Sequence, residues 1–306
     1  PALVGGGTIV DATLGGGGHA APILRTSPQA RLVGIDKDPN AVDAARANLA
    51  AYADRIRLVR SDFARLPSVL ERLGVSSIRG VLLDLGVSSP QLDQAHRGFS
   101  FRGDGPLDMR MDPDARVTAA DIVNSFAEKD LARIIRAYGE ERFAGRIARR
   151  IVRSRPLKTT GELAEVVKDA IPAPARRTGG HPARRTFQAL RIEVNHELEA
   201  LEDVLPAAVD ALEPGGRIVV ISYHSLEDRR TKRFFAEGAR GCVCPPDLPV
   251  CRCGAEASLR VLTRRPVTPS DDERERNPRS SAAKLRAAER IAAGELPVPE
   301  QEKRSA

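Results

Sequence analysis

The sequence predicts an α/β fold: a doubly wound, mostly parallel sheet with an inserted helical domain. Three observations lead there. Short apolar strands alternate with helical patterns over the first hundred residues, as in parallel βαβ units. Four glycines in a row, Gly15-Gly16-Gly17-Gly18, follow the first strand. Glycine is costly inside regular elements, so such a run points to a sharp turn that a ligand approaches closely. Strand signals then stop after a fourth strand and resume at a fifth, with helical periodicity between them.

The strands read as Thr8–Asp11, Arg31–Asp36, Ile56–Val59 and Gly80–Leu85, with Pro39 to Ala51 Ala-rich and helical in spacing. Residues 98–112, rich in Gly, Asp, Arg and Met, read as a long loop. From Thr118 to about Ala170 the pattern is helical, with Thr118 and Thr159 as helix starts because each precedes an acid three residues on. Beyond Pro172, Pro174 and the turn Gly179-Gly180, a long helix is predicted from Arg185 to Leu212, then a fifth strand over Arg217–Ser222. These readings divide the chain into 1–104 with 184–306, and an insert over 105–183. The segment from about Pro266 is rich in Pro and charge, with one helical stretch from Ser281 to Ala293.

Composition bounds the function. The 306 residues suffice for one large or two smaller domains. Hydrophobic residues make up 42% and charged ones 29%, as in folded soluble proteins. A net charge of +7 and a pI near 9.6 favour an anionic partner. No apolar run approaches a membrane span and no secretion signal is visible, so no membrane partner and a cytoplasmic location are expected. The chain opens Pro1-Ala2-Leu3 without Met, so a longer natural N-terminus is expected.

Ligands of such sheets sit at the carboxyl ends of the strands. Asp36 lies 21 residues beyond Gly15, the spacing that sets a carboxylate beside a nucleotide ribose. Nicotinamide dinucleotides and S-adenosylmethionine both fit to this point. A dinucleotide fingerprint reads G-x-G-x-x-G and cradles a pyrophosphate, whereas here His19 and Ala20 follow Gly18 and Asp11 precedes the loop. S-adenosylmethionine has no phosphate and carries a sulfonium and an ammonium, so surrounding carboxylates favour it. Asp62 could accept from the adenine amine, Phe63 could pack on the ring, and Asp84 ends the fourth strand beside the methyl donor. Strand-end Asp residues also serve as ordinary helix caps.

Several long stretches resemble one family. They are Asp11-Ala12-Thr13-Leu14-Gly15-Gly16-Gly17-Gly18-His19, Asp84-Leu85-Gly86-Val87-Ser88-Ser89-Pro90-Gln91-Leu92-Asp93 and Arg97-Gly98-Phe99-Ser100-Phe101. Further along stand Gly105-Pro106-Leu107-Asp108-Met109-Arg110-Met111-Asp112, Tyr138-Gly139-Glu140-Glu141-Arg142, the segment His181 to Ile192, and Ser222-Tyr223-His224-Ser225-Leu226-Glu227-Asp228-Arg229. Together they resemble the RsmH/MraW family of methyltransferases, which act on a cytosine N(4) of small-subunit (16S) ribosomal RNA. The His-x-Pro-Val stretch usual near that family's start is absent.

The resemblance implies the class I, Rossmann-like methyltransferase sheet, S-adenosylmethionine as cofactor, and the decoding region of 16S rRNA in the small ribosomal subunit as substrate. It implies donor contacts at Gly17, Gly18 and His19, ribose contact at Asp36, Phe63 and Asp84 flanking the adenosine, and Gln91 nearby. Gln91 comes from the resemblance alone. The oligomeric state, monomer or homodimer, stays open.

A cytosine amine is a poor nucleophile, so transfer needs in-line placement and an acceptor for the amine hydrogens. Asp84 is the first candidate for that catalytic role and Asp108 the weaker one, since a salt bridge to Arg110 explains Asp108 equally well. His196 and His224 read as structural.

Residues 140–191 hold 13 Lys/Arg against 5 Asp/Glu. Arg146, Arg149, Arg150 and Arg153 recur at helical spacing, and Arg176, Arg177, Arg184 and Arg185 flank a Gly-Gly loop. A solvated helix face is the ordinary reading of such a run. The concentration of charge in the insert favours an RNA-docking surface, reading phosphates and shape with one base splayed out. All four cysteines, Cys242, Cys244, Cys251 and Cys253, fall in one window. A structural zinc site is the leading reading in a reducing compartment, and a redox-sensitive or inert thiol cluster is the alternative.

Overall fold

A computed structural model of the chain describes Leu3 and residues 6–177, 180–240 and 256–292. It divides into two compact units: one through Gly86 and again from Ala200, the other Val87–Glu199.

In the first unit the chain runs β1 (Gly7–Asp11), α1 (Ala20–Thr26), β2 (Ala30–Asp36), α2 (Pro39–Asn48), β3 (Ile56–Arg60), α3 (Leu66–Arg72) and β4 (Ile78–Asp84). All neighbouring pairs among these strands are parallel. Ile9, Val10, Leu32, Val33, Ile35, Val81, Leu82 and Leu83 are buried, the near-continuous apolar runs that a sheet covered on both faces requires. The chain winds outward from β1 through β2 to β3, then returns to place β4 on the other side of β1. That reversal opens a crevice at the carboxyl ends of β1 and β4.

The second unit is helical: α4 (Ser89–Asp93), α5 (Ala119–Ser125), α6 (Glu128–Gly139), α7 (Ala144–Arg153), α8 (Thr160–Ala170) and α9 (Arg184–Asn195). Thr118 and Thr159 cap α5 and α8 with reciprocal bonds to Asp121 and Glu162, at the starts read from sequence. The unit begins at Val87, earlier than the insert expected at 105, for a packing reason. Phe99, Leu107, Met109 and Met111, from the loop over 98–112, are buried in the same core as Ile122, Leu131, Ile147 and Leu190. The buried amide of Asn195 donates to Met109 O and accepts from Met111 N–H, at 2.8 and 2.7 Å.

The chain continues through α10 (Glu197–Ala211), β5 (Leu212–Ser222), α11 (Ser225–Gly238), β6 (Leu259–Val261), α12 (Asp271–Arg276) and β7 (Lys284–Arg290). The sheet order is β3-β2-β1-β4-β5-β7-β6. β5 lies parallel to β4, and β7 runs antiparallel to both β5 and β6.

Two expectations are corrected. The helix predicted over Arg185–Leu212 breaks at His196, whose φ of 51° is left-handed, giving α9 and α10. The helical stretch predicted over Ser281–Ala293 instead carries strand β7 over Lys284–Arg290, after a 3-10 turn that ends at Ala282, and Ala293 lies outside the described residues. Its residues are helix formers, but pairing on both edges overrides propensity. Ala287 and Ala288 fit the buried pleat opposite Val219 and Ile218. Arg286 donates to Asp228 at 2.7 Å, and Glu289 accepts from Arg217 at 2.8 Å, so the charged residues of the strand are satisfied. Among the described residues no helix is long and apolar enough to cross a membrane.

Candidate active site

The carboxyl ends of β1, β2, β4 and β5 carry the polar residues of the first unit's crevice. Asp11 ends β1 and is fully buried. Its Oδ1 accepts from the Thr13 N–H at 3.3 Å, and Oδ2 has no hydrogen-bond partner among the described residues. The chain then turns through the glycines. Gly17 has a φ of +83°, and an added Cβ would lie 3.1 Å from the Leu49 side chain. Any other residue would therefore strain the turn and press on the core.

Asp36 ends β2 and grips this turn. Its Oδ2 accepts from the Gly15 N–H at 2.8 Å and its Oδ1 from the Asp38 N–H at 2.9 Å. Burial raises its pKa, and these two bonds oppose the rise. Each oxygen keeps a lone pair for a ligand hydroxyl. Asp36, the carboxylate that spacing picks out for a ribose, thus holds the glycine loop itself.

Asp84 ends β4. Its Oδ2 lies 3.2 Å from His19 Nε2, its Oδ1 accepts from the Tyr223 hydroxyl at 3.1 Å, and its N–H donates to Thr13 Oγ1 at 2.6 Å. The bond to Asp84 raises the His19 pKa against the opposing effect of burial, and the charges of Asp84 and Asp11 add to the rise. Burial, then the Asp84 charge, pushes the Tyr223 phenol well above its usual range, so it is a proton donor. Thr13 and Tyr223 were given no role from sequence. The signal for Tyr223 was positional: it follows β5, whose Ile221 pairs with Asp84.

Asp11 titrates at about 7, raised first by burial and lowered in part by His19. A carboxyl whose pKa is higher folded than unfolded binds more protons in the folded state. Its effect on stability is therefore increasingly unfavourable as pH rises from about 4 to about 7, and constant above. Asp11→Asn should flatten that fall. The melting temperature of the ligand-free variant should exceed wild type near pH 8 and approach it near pH 5. A wild type that outlasts the variant by a growing margin toward pH 8 would contradict a neutral buried Asp11.

Asp62 pairs with Lys37 Nζ at 2.9 Å and accepts from the Ala64 N–H, so much of its accepting capacity is used. Phe63 is half-buried, its ring centroid 5.9 Å from Lys37 Nζ. Gly18 has open space where a Cβ would stand. In the helical unit, buried Gln91 closes the cap of α4, its Oε1 accepting from the Ser88 N–H at 3.0 Å. Asp108 is held by Arg110 Nε and Nη2 at 2.7 and 2.8 Å. Burial raises its pKa, but the Arg110 bonds outweigh this and leave it below the usual carboxylate range. The salt-bridge reading of Asp108 is therefore the observed geometry. His196 sits at the α9–α10 break, and His224 caps α11, its Nδ1 accepting from the Glu227 N–H at 3.4 Å.

Arg146, Arg149, Arg150 and Arg153 form one exposed face of α7, opposite buried Ala144, Ile147, Ala148 and Ile151. Arg149 makes an exposed 3.3 Å pair with Glu128. Arg184 and Arg185 are exposed at the start of α9. Arg176 donates to Ile171 O at 2.7 Å, so its guanidinium closes the end of α8. The side chain of Arg177 and all four cysteines lie outside the described residues. Among the described residues no group of three or more His, Cys, Asp or Glu is arranged for a metal.

The crevice fits a phosphate-free, cationic nucleoside ligand. Asp36 and Asp84 make it acidic, which disfavours a pyrophosphate at this turn and favours a sulfonium and an ammonium. The buried Oδ2 of Asp11, without a hydrogen-bond partner among the described residues, adds an unused polar atom.

Residues 3–291 match the model of the MraW methylase family. The chain is 57% identical over 290 residues to the ribosomal RNA small subunit methyltransferase H of Heliobacterium mobile, covering 93% of each chain. It is 56% identical over 294 residues to the protein of that name from Symbiobacterium thermophilum, covering 95% of this chain and 92% of the relative. An rRNA methylase structure from Streptococcus thermophilus shows only a distant likeness, with 11% identity and a TM-score of 0.42 over 95% of this chain and 90% of the other. On the family match and these identities, the chain belongs to the MraW methylase family.

Proposed function

We propose that this chain transfers the methyl group of S-adenosylmethionine to the exocyclic 4-amino group of a cytosine in the decoding region of 16S rRNA. The carrying observation is the high identity, over nearly the whole chain, to proteins named for small-subunit rRNA methylation. The acidic crevice around Asp36 and Asp84 supports the same reading.

The cofactor supplies an electrophilic methyl group on a sulfonium. Asp36 accepts from the ribose hydroxyls while holding the Gly15 N–H, so the glycine loop and the ribose share one anchor. Gly17, Gly18 and His19 line the donor, Phe63 packs by the adenine, and Asp84 flanks the adenosine. Asp84 also accepts a hydrogen from the cytosine amine, which favours pyramidal nitrogen and aims its lone pair at the methyl carbon. No strong base is needed: the nitrogen becomes acidic as it is alkylated, its proton passes to the Asp84 carboxylate that already accepts its hydrogen bond, and the cleaved S–CH3 bond leaves a neutral thioether. Gln91 serves by stiffening the chain after β4, through its cap on α4. Tritiated methyl transfer to 30S subunits, naked rRNA and DNA tests the reading. Label in RNA only is the expected result, and no label in any RNA would overturn it.

The helical unit is the RNA-recognition domain in this reading, with the exposed arginines of α7 and the start of α9 neutralising phosphates, joined by Arg177. The Arg176 guanidinium stays with the end of α8. Converting Arg146, Arg149, Arg150 and Arg153 together to Ala should reduce the salt dependence of rRNA binding. Each lost phosphate contact lowers the log–log slope by about 0.7–0.9. S-adenosylmethionine affinity should not change. An unchanged salt slope would place the RNA elsewhere. The reading places the enzyme in the cytoplasm, where ribosomal subunits are found, and leaves zinc at the cysteine window a separate proposal for metal analysis.

A further inference from the structure

Tyr223 has no part in the reaction as read so far. It leaves β5 immediately after Ser222, and the pairing of Ile221 with Asp84 brings it to the end of β4. Its backbone N–H donates to Glu227 Oε2 at 2.9 Å, and the next residue, His224, caps α11. The ring therefore projects from a pinned backbone, and its hydroxyl meets Asp84 Oδ1 at 3.1 Å. His19 holds the other oxygen at 3.2 Å, and Thr13 holds the Asp84 N–H. The charged and titratable groups around this pair are Asp11 from β1, His19 ahead of α1, Glu227 from α11 and Glu273 from α12.

We propose that Tyr223 is a positioning residue for methyl transfer: its hydroxyl holds the Asp84 carboxylate in the orientation that offers a free Oδ1 lone pair to the substrate amine. The proposal rests on the reading of Asp84 given above. A carboxylate oxygen can accept two hydrogen bonds, so the Tyr223 bond leaves one site for the amine. Without that bond, the His19 contact to Oδ2 at 3.2 Å is unopposed. The carboxylate then turns toward the imidazole and away from the amine. The loss falls on the chemical step rather than on donor binding, because Asp36 and the glycine loop are untouched.

The test compares wild type, Tyr223→Phe, Tyr223→His, Asp84→Asn and the double variant Tyr223→Phe/Asp84→Asn on 30S subunits. A hydrogen bond to a charged group supports a kcat loss of about 10- to 100-fold for Tyr223→Phe. The KM values for S-adenosylmethionine and for subunits should stay within about twofold. Tyr223→His, which retains a ring N–H donor with shorter reach, should fall between wild type and Tyr223→Phe. The double variant should be no more than about twofold slower than Asp84→Asn, since residues acting as one unit are not additive. Calorimetric binding of S-adenosylmethionine to each variant reports that it is folded. A Tyr223→Phe kcat within twofold of wild type, a loss confined to KM, or losses that multiply in the double variant would each overturn the proposal. Wild-type protein inactive on every RNA would instead overturn the function on which it rests.

Discussion

Asp36→Asn should weaken S-adenosylmethionine binding by about 100-fold or more, since each hydrogen bond to a charged acceptor contributes about 1.5–3 kcal/mol. The carboxylate accepts on both oxygens already, from Gly15 N–H and Asp38 N–H. An amide in its place has one acceptor and one donor. Whichever way it faces, its NH2 meets one of those N–H groups. The variant thus loses a ribose acceptor and also loosens the glycine turn. Calorimetry measures the affinity, and a dissociation constant within about threefold of wild type would contradict the assignment.

Asp84→Asn should act differently. Its backbone bond to Thr13 and the strand pairing survive, so donor affinity should change by only a few-fold. Turnover should fall by about 100-fold or more, the order seen when one preorganised polar group at a reacting centre is removed. The amide must turn its NH2 toward either Tyr223 or His19, and it presents one carbonyl oxygen in place of two charged ones. Single-turnover methyl transfer under saturating donor separates the two effects. Full turnover with normal donor affinity would rule out the orienting role.

The sheet was legible in the sequence because its strands are buried on both faces and read as short apolar runs closed by Asp11, Asp36 and Asp84. The capping threonines of α5 and α8 were legible because Thr118 and Thr159 each stand three residues before an acid. β7 was not legible: Leu285, Arg286, Ala287, Ala288 and Glu289 carry helical propensity, and the pairing with β5 and β6 and the partners of Arg286 and Glu289, all distant in sequence, make a strand of them. The break at His196 was hidden for a similar reason. Asn195 is turned to the loop carrying Met109 and Met111, which sequence separation conceals.

Within the candidate site, spacing reached Asp36 and Asp84 because βαβ geometry fixes where strands end. It could not show that Gln91 is spent on a helix cap, that Asp108 is clasped by Arg110, or that Arg176 closes α8. Those depend on local side-chain geometry. Tyr223 was visible only as part of a motif, since its partner Asp84 lies on another strand.

The central claim is tested most directly by identifying the nucleoside that receives the methyl group. After reaction of the purified protein with S-adenosylmethionine and 30S subunits, the 16S rRNA is digested to nucleosides and separated by chromatography with mass detection. The account predicts a single new product, N(4)-methylcytidine, strongly reduced when Asp36→Asn protein is used at a donor concentration near the wild-type dissociation constant. A methyl group found on carbon, on ribose or on another base would contradict it.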